Sequence, residues 1–171
     1  MKSAILIEPA RVTDLPTLDD MIENCYRGDH ARMGWTNEAD LVGGKRLADG
    51  ELLTLFASPD TVIFVARQGE DIVGCVTVTD RPPDTAYIGL LCVDPPFQSA
   101  GLGNRLLATA EMLCRNLGVA RARMTVIESR DSLVEWYLRQ GYAPTGEREP
   151  FPVPQPEPLF FTVLEKPLGK A

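Results

Sequence analysis

Along this chain the spacing of apolar positions switches repeatedly between strand-like and helix-like periods, and no segment repeats another. Ala4 to Arg11 reads as a first strand. Asp14 and Pro16 then open a helix whose apolar positions, Leu18, Met21, Ile22, Cys25 and Tyr26, recur at helical spacing and face a core. From Gly28 to Gly44 the pattern breaks, because Gly34, Gly43 and Gly44 interrupt two short helical runs, and this stretch is expected to be mobile or to face a ligand. Asp49 is placed to cap a further helix carrying Leu52, Leu55 and Phe56.

Thr61 to Arg67 and Ile72 to Thr79 are β-rich runs joined by a turn at Gly69, the pattern of a hairpin. A third strand, Thr85 to Val93, follows the Arg81-Pro82-Pro83-Asp84 turn and ends at Pro95-Pro96, which cannot supply ladder hydrogen bonds. Leu106, Leu107, Ala110, Leu113, Cys114 and Leu117 mark one face of a long helix that starts near Gly103, with Gly118 placed for a left-handed cap. Arg121 to Ile127 returns as a strand. Ser132 with Glu135 fits a capping box for a helix carrying Leu133, Trp136, Tyr137 and Gln140 and ending at Gly141. Two final strands, Tyr142 to Arg148 and Leu159 to Glu165, flank prolines at 150, 152, 154, 156 and 158, whose spacing suggests an extended, stiff connection.

Length and composition narrow the class. At 171 residues, with 44% hydrophobic and 24% charged residues, residues 1–171 read as one globular domain rather than a disordered or coiled-coil chain. Seventeen Lys and Arg against 24 Asp and Glu leave −7, which argues against the broad basic face of a nucleic-acid binder. No run approaches the roughly 20 apolar residues of a membrane span, and Ala4 to Ile7 is too short for a signal-peptide core, so a soluble, cytoplasmic protein is expected, with no membrane partner. Cys25, Cys75, Cys92 and Cys114 form no CxxC pair and share the chain with one histidine, His30. No metal site and no disulfide framework are therefore expected, and each cysteine reads as a small buried hydrophobe.

The chemistry concentrates between Tyr87 and Leu107, where a strand, a proline stop, a small-residue loop and a helix start succeed one another. With little side-chain bulk after Gln98, successive backbone N–H groups up to Gly103 are free to close on phosphates, and the helix dipole adds roughly half a positive charge. A Walker A loop would need Gly-Lys-Ser/Thr, but Asn104 and Arg105 follow Gly103. A dinucleotide fingerprint would need Gly or Ala where Leu106 stands.

Gln98, Gly101 and Gly103 match the acyl-CoA loop of the GNAT superfamily of N-acetyltransferases: Gln or Arg, two residues, Gly, one residue, then Gly or Ala. Val93-Asp94-Pro95 before the loop, and the Trp136 to Tyr142 segment at the family's usual distance after it, extend the likeness, so the chain resembles that superfamily over most of its length. The resemblance implies an α/β fold with a mixed, mostly antiparallel sheet, helices on both faces and a splayed pair of central strands. Acetyl-CoA, as co-substrate, would lie between the strands carrying Leu91 to Val93 and Met124 to Ile127, its pyrophosphate on Gln98, Ser99, Ala100, Gly101, Leu102, Gly103 and Asn104. Leu91, Cys92 and Val93 would offer backbone groups to the pantetheine, Val93 N–H would meet the thioester carbonyl, and Tyr137 would protonate the departing thiolate. That proton transfer, from a phenol near ~10 to a thiol near ~8.5, is uphill by roughly 2 kcal/mol unless the site helps.

The activity so implied is N-acetyl transfer from acetyl-CoA to a primary amine, here taken as that of a small molecule, by direct attack. The alternative is a catalytically silent acyl-CoA-binding or regulatory module. Homodimers are common in the superfamily, but no interface is legible here. The sequence also departs from the pattern. Arg130 replaces an asparagine that usually helps hold the pantetheine; either Ser129 substitutes, Arg130 reaches a phosphate or the substrate, or the cofactor is held differently. No carboxylate lies between Tyr87 and Val93 to act as base, which leaves Glu128 and Glu38 as candidates against a plain solvated role. Acceptor specificity is assigned to Tyr26 to Arg46 and the connection around Phe151. Trp35 there either packs on substrate or anchors the loop. A covalent Cys92 route is disfavoured, since only the distant His30 could serve as its base.

Overall fold

The computed structural model describes residues 3–27, 46–98, 100–152 and 155–169. His30, Trp35, Glu38 and Ser99 lie outside them, as does the glycine-interrupted stretch from Gly28 to Gly44. In chain order the described elements are β1 (Ile5–Pro9), α1 (Leu15–Tyr26), α2 (Glu51–Ala57), β2 (Thr61–Gln68), β3 (Asp71–Arg81), β4 (Thr85–Val93), α3 (Leu102–Asn116), β5 (Arg121–Ile127), α4 (Asp131–Arg139), β6 (Ala143–Pro150) and β7 (Phe160–Pro167). The seven strands form one sheet in the order β1-β2-β3-β4-β5-β7-β6. All neighbours are antiparallel except β4 and β5, which run parallel and are joined by the crossover helix α3.

Helices cover both faces. Leu102, Leu106, Leu107, Ala110 and Cys114 of α3 pack with Tyr137 of α4 on the face carrying Val76, Val78, Ile88 and Met124. Leu18, Ile22 and Cys25 of α1 and Leu52 of α2 pack on the other, against Val65, Ile72, Cys75 and Cys92. Central strand β3 is thus buried on both sides from Ile72 to Val78, which is why it reads as an apolar run without alternation. Gly74 sets how closely α3 approaches. A Cβ there would stand 3.0 Å from both the Leu106 side chain and the Cys92 carbonyl oxygen.

Several helix starts differ from the sequence expectation. Gly50, at φ 78, precedes α2 in place of Asp49, and the Ala48 N–H donates to the Glu51 carboxylate at 2.8 Å. At α4 the expected Ser132–Glu135 box is absent. Arg130 N–H already bonds the Ile127 carbonyl at 3.0 Å, so the tight turn carries the chain into the helix one residue before Ser132. Asp14 accepts the Arg11 N–H and turns its carboxylate to Arg67, which it meets at 2.8 and 3.1 Å. Gly118 is left-handed, as expected. Pro150, assigned to the connection, instead closes β6 opposite Phe160, where the sheet edge tolerates a residue without an N–H.

Two ion-pair clusters join neighbouring elements. Arg67 on β2 binds Asp14 and also Glu8 of β1, at 2.8 Å. On the other side Glu111 of α3 is buried and takes Lys166 of β7 at 2.6 Å, with the Tyr142 hydroxyl at 3.4 Å. The Arg67 guanidinium holds the Asp14 carboxyl below the usual carboxylate range. That contribution is present above the unfolded-state value of about 3.9 and is lost as pH falls through the lower folded value. Arg67→Met, which leaves Asp14 unpaired, is expected to cost roughly 2–4 kcal/mol at pH 7. Urea unfolding should show that loss, together with a weaker fall in stability below about pH 4 than the wild type; equal midpoints at pH 7 would contradict it.

Candidate active site

Strands β4 and β5 pair over only three positions, Thr85 with Arg121, Ala86 with Ala122 and Tyr87 with Arg123. Beyond them the Tyr87 hydroxyl still spans the two strands to Thr125 Oγ1 at 2.8 Å. The cause of the parting lies on the other edge of β4. There Thr77 faces Gly89 but Cys75 faces Cys92, so β4 spends three steps where β3 spends two. The extra residue is a bulge, and Leu90 takes a left-handed φ of 48° within it. The resulting cleft has a volume of about 1080 Å³ and is lined by β4 from Tyr87 to Val93 and β5 from Met124 to Ile127.

Three carbonyls of the diverted strand are met by side-chain donors. Cys75 Sγ donates to Leu90 at 3.1 Å, the Tyr26 hydroxyl to Leu91 at 2.8 Å, and Gln98 Nε2 to Val93 at 2.9 Å. The Asp94 N–H donates to Val73 at 2.9 Å, which makes that pair a hydrogen-bonded one. By antiparallel alternation the neighbouring Gly74–Val93 pair is not, so the Val93 N–H turns away from β3 toward the gap.

Just past the cleft floor, Gly101 at φ 81 turns the chain into α3. The first bond within that helix is Arg105 N–H to the Gly101 carbonyl at 3.2 Å, so Leu102, Gly103 and Asn104 point N–H groups out of its end. Among the described residues no side chain caps this end, and its first turn holds no acidic residue. Gln98, Gly101, Gly103 and Asn104 line the cleft; Ala100 is exposed, and Leu102 buries its side chain in the core, offering only main chain. Trp136 of α4 packs 3.7 Å from where a Gly103 Cβ would stand and forms a side wall of this cradle.

Tyr137 lines the cleft and is buried, edge-on to Trp136 and Tyr142 with ring centres at 5.0 and 5.9 Å. Burial pushes its phenol up, and the Arg130 charge, also in the cleft wall, acts the other way. Cys92 lies on the same strand but turns its thiol into the core, 3.5 Å from Cys75 Sγ and 3.9 Å from Met21 Sδ. The Cys25 thiol draws the Cys92 value down, but the Cys75 thiol and burial together hold it well above the ordinary range. Cys25, whose thiol is pushed up by its contact with Cys92, borders the same cleft.

Glu128 is not among the cleft-lining residues. It sits at the surface with Arg148 across both carboxylate oxygens, at 2.6 and 2.8 Å, and that guanidinium keeps it below its ordinary value. The carboxylates that do line the described cleft are Asp49 and Glu51, at its α2 side. Sequence reasoning missed these as site residues. Arg46, which closes the stretch assigned to acceptor specificity, has its guanidinium 5.0 Å over the Tyr26 ring and its N–H anchored on Glu23 at 2.9 Å. Among the described residues no group of three His, Cys, Asp or Glu side chains is arranged to hold a metal.

A family profile described as the acetyltransferase (GNAT) family matches residues 18–142, well over half the chain. The chain belongs to the GNAT acetyltransferase family. Solved GNAT structures share its fold along nearly the whole length. The ribosomal-protein-S18-alanine N-acetyltransferase of Escherichia coli superposes with a TM-score of 0.76 at 16% identity, over 98% of this chain and 96% of that one. The PaiA N-acetyltransferase of Thermoplasma acidophilum, solved in complex with coenzyme A, gives 0.72 at 15% identity, over 96% and 99%. The IAA acetyltransferase of Bacillus cereus gives 0.68 at 15%, over 96% and 100%.

All four thiols of this GNAT protein are free and buried. An aromatic disulfide reagent at pH 8 is therefore expected to label the native protein at least about 10²-fold more slowly than the urea-unfolded chain. A thiol that reacts at the unfolded rate in the native protein would contradict the packing of the Cys92 cluster.

Proposed function

We propose that this protein transfers an acetyl group from acetyl-CoA to a primary amine of a small molecule, by direct attack of the amine on the thioester. The observation that carries the reading is the convergence on one cleft of two sets of outward main-chain N–H groups, at Val93 and at the α3 end, beside the buried Tyr137. The N–H groups of Leu102, Gly103 and Asn104, with the loop residues Gln98, Ser99, Ala100 and Gly101, would hold the pyrophosphate. Leu91, Cys92 and Val93 would hold the pantetheine by their main chain. Acyl transfer builds negative charge on the thioester oxygen, and a fixed donor such as Val93 N–H is worth roughly 3 kcal/mol there.

Tyr137 is the proton donor to the sulfur as the carbon–sulfur bond breaks. The amine must arrive neutral although alkylammonium groups titrate near ~10.4. With Glu128 engaged by Arg148, the cleft-lining Asp49 and Glu51 are better placed to take its proton through water than the carboxylate first considered. The acceptor half is bordered by Tyr26, Arg46 and the tilted pair Phe151 and Phe161, whose ring centres lie 5.3 Å apart, an aromatic setting that supports a small acceptor. Among the described residues no carboxylate lines the cleft along β4 from Tyr87 to Val93, which favours a second reading, a module that binds acyl-CoA without turnover.

A thiol-release screen of many amines with acetyl-CoA, followed by mass measurement of the product, tests both. Tyr137→Phe is expected to lower kcat about 10²-fold with the KM for acetyl-CoA little changed. Coenzyme binding by calorimetry without release from any amine, in wild type as in the variant, would establish the silent module instead.

A further inference from the structure

We propose that Tyr26 is a positioning residue that acts through the main chain of β4: its hydroxyl holds the Leu91 carbonyl and thereby aims the Val93 N–H at the thioester oxygen. The inference rests on the reading of Val93 N–H as the donor to that oxygen and deepens it by naming what keeps the donor in place.

The need for such a post comes from the bulge. Leu90 and Leu91 have no partner in the register between β3 and β4, which resumes where Cys92 faces Cys75. On the other edge β5 has already left β4 at Tyr87. The segment that leads to the donor therefore runs for two residues without a ladder, one of them Leu90 at its left-handed φ of 48°. Its carbonyls are fixed from side chains instead, Leu90 by Cys75 Sγ at 3.1 Å and Leu91 by the Tyr26 hydroxyl at 2.8 Å. A thiol is a weak donor, so the phenol is the firmer of the two holds.

The Leu91 carbonyl and the Val93 N–H belong to the two peptide units that flank Cys92, and strand alternation puts both on the edge that faces the gap. Downstream of the donor, Gln98 Nε2 takes the Val93 carbonyl at 2.9 Å and the Asp94 N–H returns to β3. Upstream, the hold on that edge is Tyr26. Without it, rotation of the Leu91–Cys92 peptide swings the Val93 N–H off line.

Tyr26 is also built to stay put, although it is the last residue of α1. Ile22 and Cys25 beside it are buried in the core. Glu23, one turn earlier, accepts the Arg46 and Leu47 N–H groups at 2.9 Å each through its two carboxylate oxygens, and the Arg46 guanidinium covers the Tyr26 ring at 5.0 Å.

Tyr26→Phe removes the hydroxyl and keeps the ring under Arg46. Acetyl-CoA differs from CoA by the acetyl group, whose carbonyl is what the Val93 N–H meets, so the ratio of the two affinities, measured by calorimetry without amine, reads the donor apart from the acceptor wall. In Tyr26→Phe that ratio should shift about fivefold against acetyl-CoA, with CoA bound as by the wild type. With an amine that turns over, kcat should fall about tenfold. Replacing Tyr26 by 4-aminophenylalanine, which restores a donor, should regain most of both losses. Val76 and Val93 are the two valines that follow a cysteine, so carbonyl-¹³C cysteine with ¹⁵N valine isolates their amide signals, and in the unliganded variant the Val93 signal should move more than that of Val76. An unchanged ratio, an equal loss for both coenzymes or an unmoved Val93 signal would overturn the proposal. A wild type that binds neither coenzyme would defeat the functional reading instead, while the Val93 signal still decides whether the hydroxyl sets that amide.

Discussion

When β4 leaves β5 part-way along a parallel pair, main-chain groups at the centre of a sheet lose their ladder partners, and buried polar groups left alone cost roughly 1–3 kcal/mol each. The way this chain meets that constraint shapes the site. The exposed carbonyls of Leu90, Leu91 and Val93 are each taken by a side chain, from Cys75, Tyr26 and Gln98. No such side-chain acceptor serves the Val93 N–H among the described residues. A strand relieved of its acceptors but left with an outward donor is complementary to a ligand rich in carbonyl oxygens, which is what a pantetheine thioester presents. The first residue of the loop motif, Gln98, thereby gains a physical reason: its amide holds the end of β4 against the start of the loop.

The same logic bears on the α3 end of the cleft. The α3 terminus is only useful as an anion cradle if it is held rigidly, and its position comes from the core rather than from the loop. Leu102, Leu106 and Leu107 are fully buried at the helix start, each such burial contributing roughly 2 kcal/mol, and Gly74 lets Leu106 reach the sheet. Trp136 then couples the two halves of the site. It lies against Gly103 on one side and edge-on to Tyr137 on the other, so it packs the helix that carries Tyr137 against the start of α3.

What was legible in the sequence follows from range. The strands, the long helix and the loop at Gly101 and Gly103 are specified by residues within a few positions of one another, and periodicity exposes them. The bulge at Leu90 is not, because a leucine in a left-handed conformation leaves no compositional mark and the apolar run of β4 looks continuous. Nor are the pairings that disqualify or recruit side chains. Arg148 reaches Glu128 across 20 positions and Tyr26 reaches Leu91 across 65, so a carboxylate near the site in sequence is engaged elsewhere and an aromatic read as core stands at the cleft. The missed helix starts share a cause. Ser132 and Asp49 have the right residue type, but tight turns at Arg130 and Gly50 had already committed the backbone.

The cleft holds two kinds of acidic group near the place where the thioester would react, and the fold treats them differently. Burial raises both the Cys92 thiol and the Tyr137 phenol, which by itself would leave neither able to ionise. For Cys92 that outcome is useful. A thiolate beside a bound thioester would compete with the amine for the acyl group, and packing the sulfur against Cys75 and Met21 removes the competitor. For Tyr137 the outcome would be self-defeating, because a proton held too tightly cannot be delivered to sulfur. Under the proposed function the difference between the two groups must therefore come from charge rather than from burial, and the Arg130 charge in the cleft wall acts against the effect of burial on the phenol.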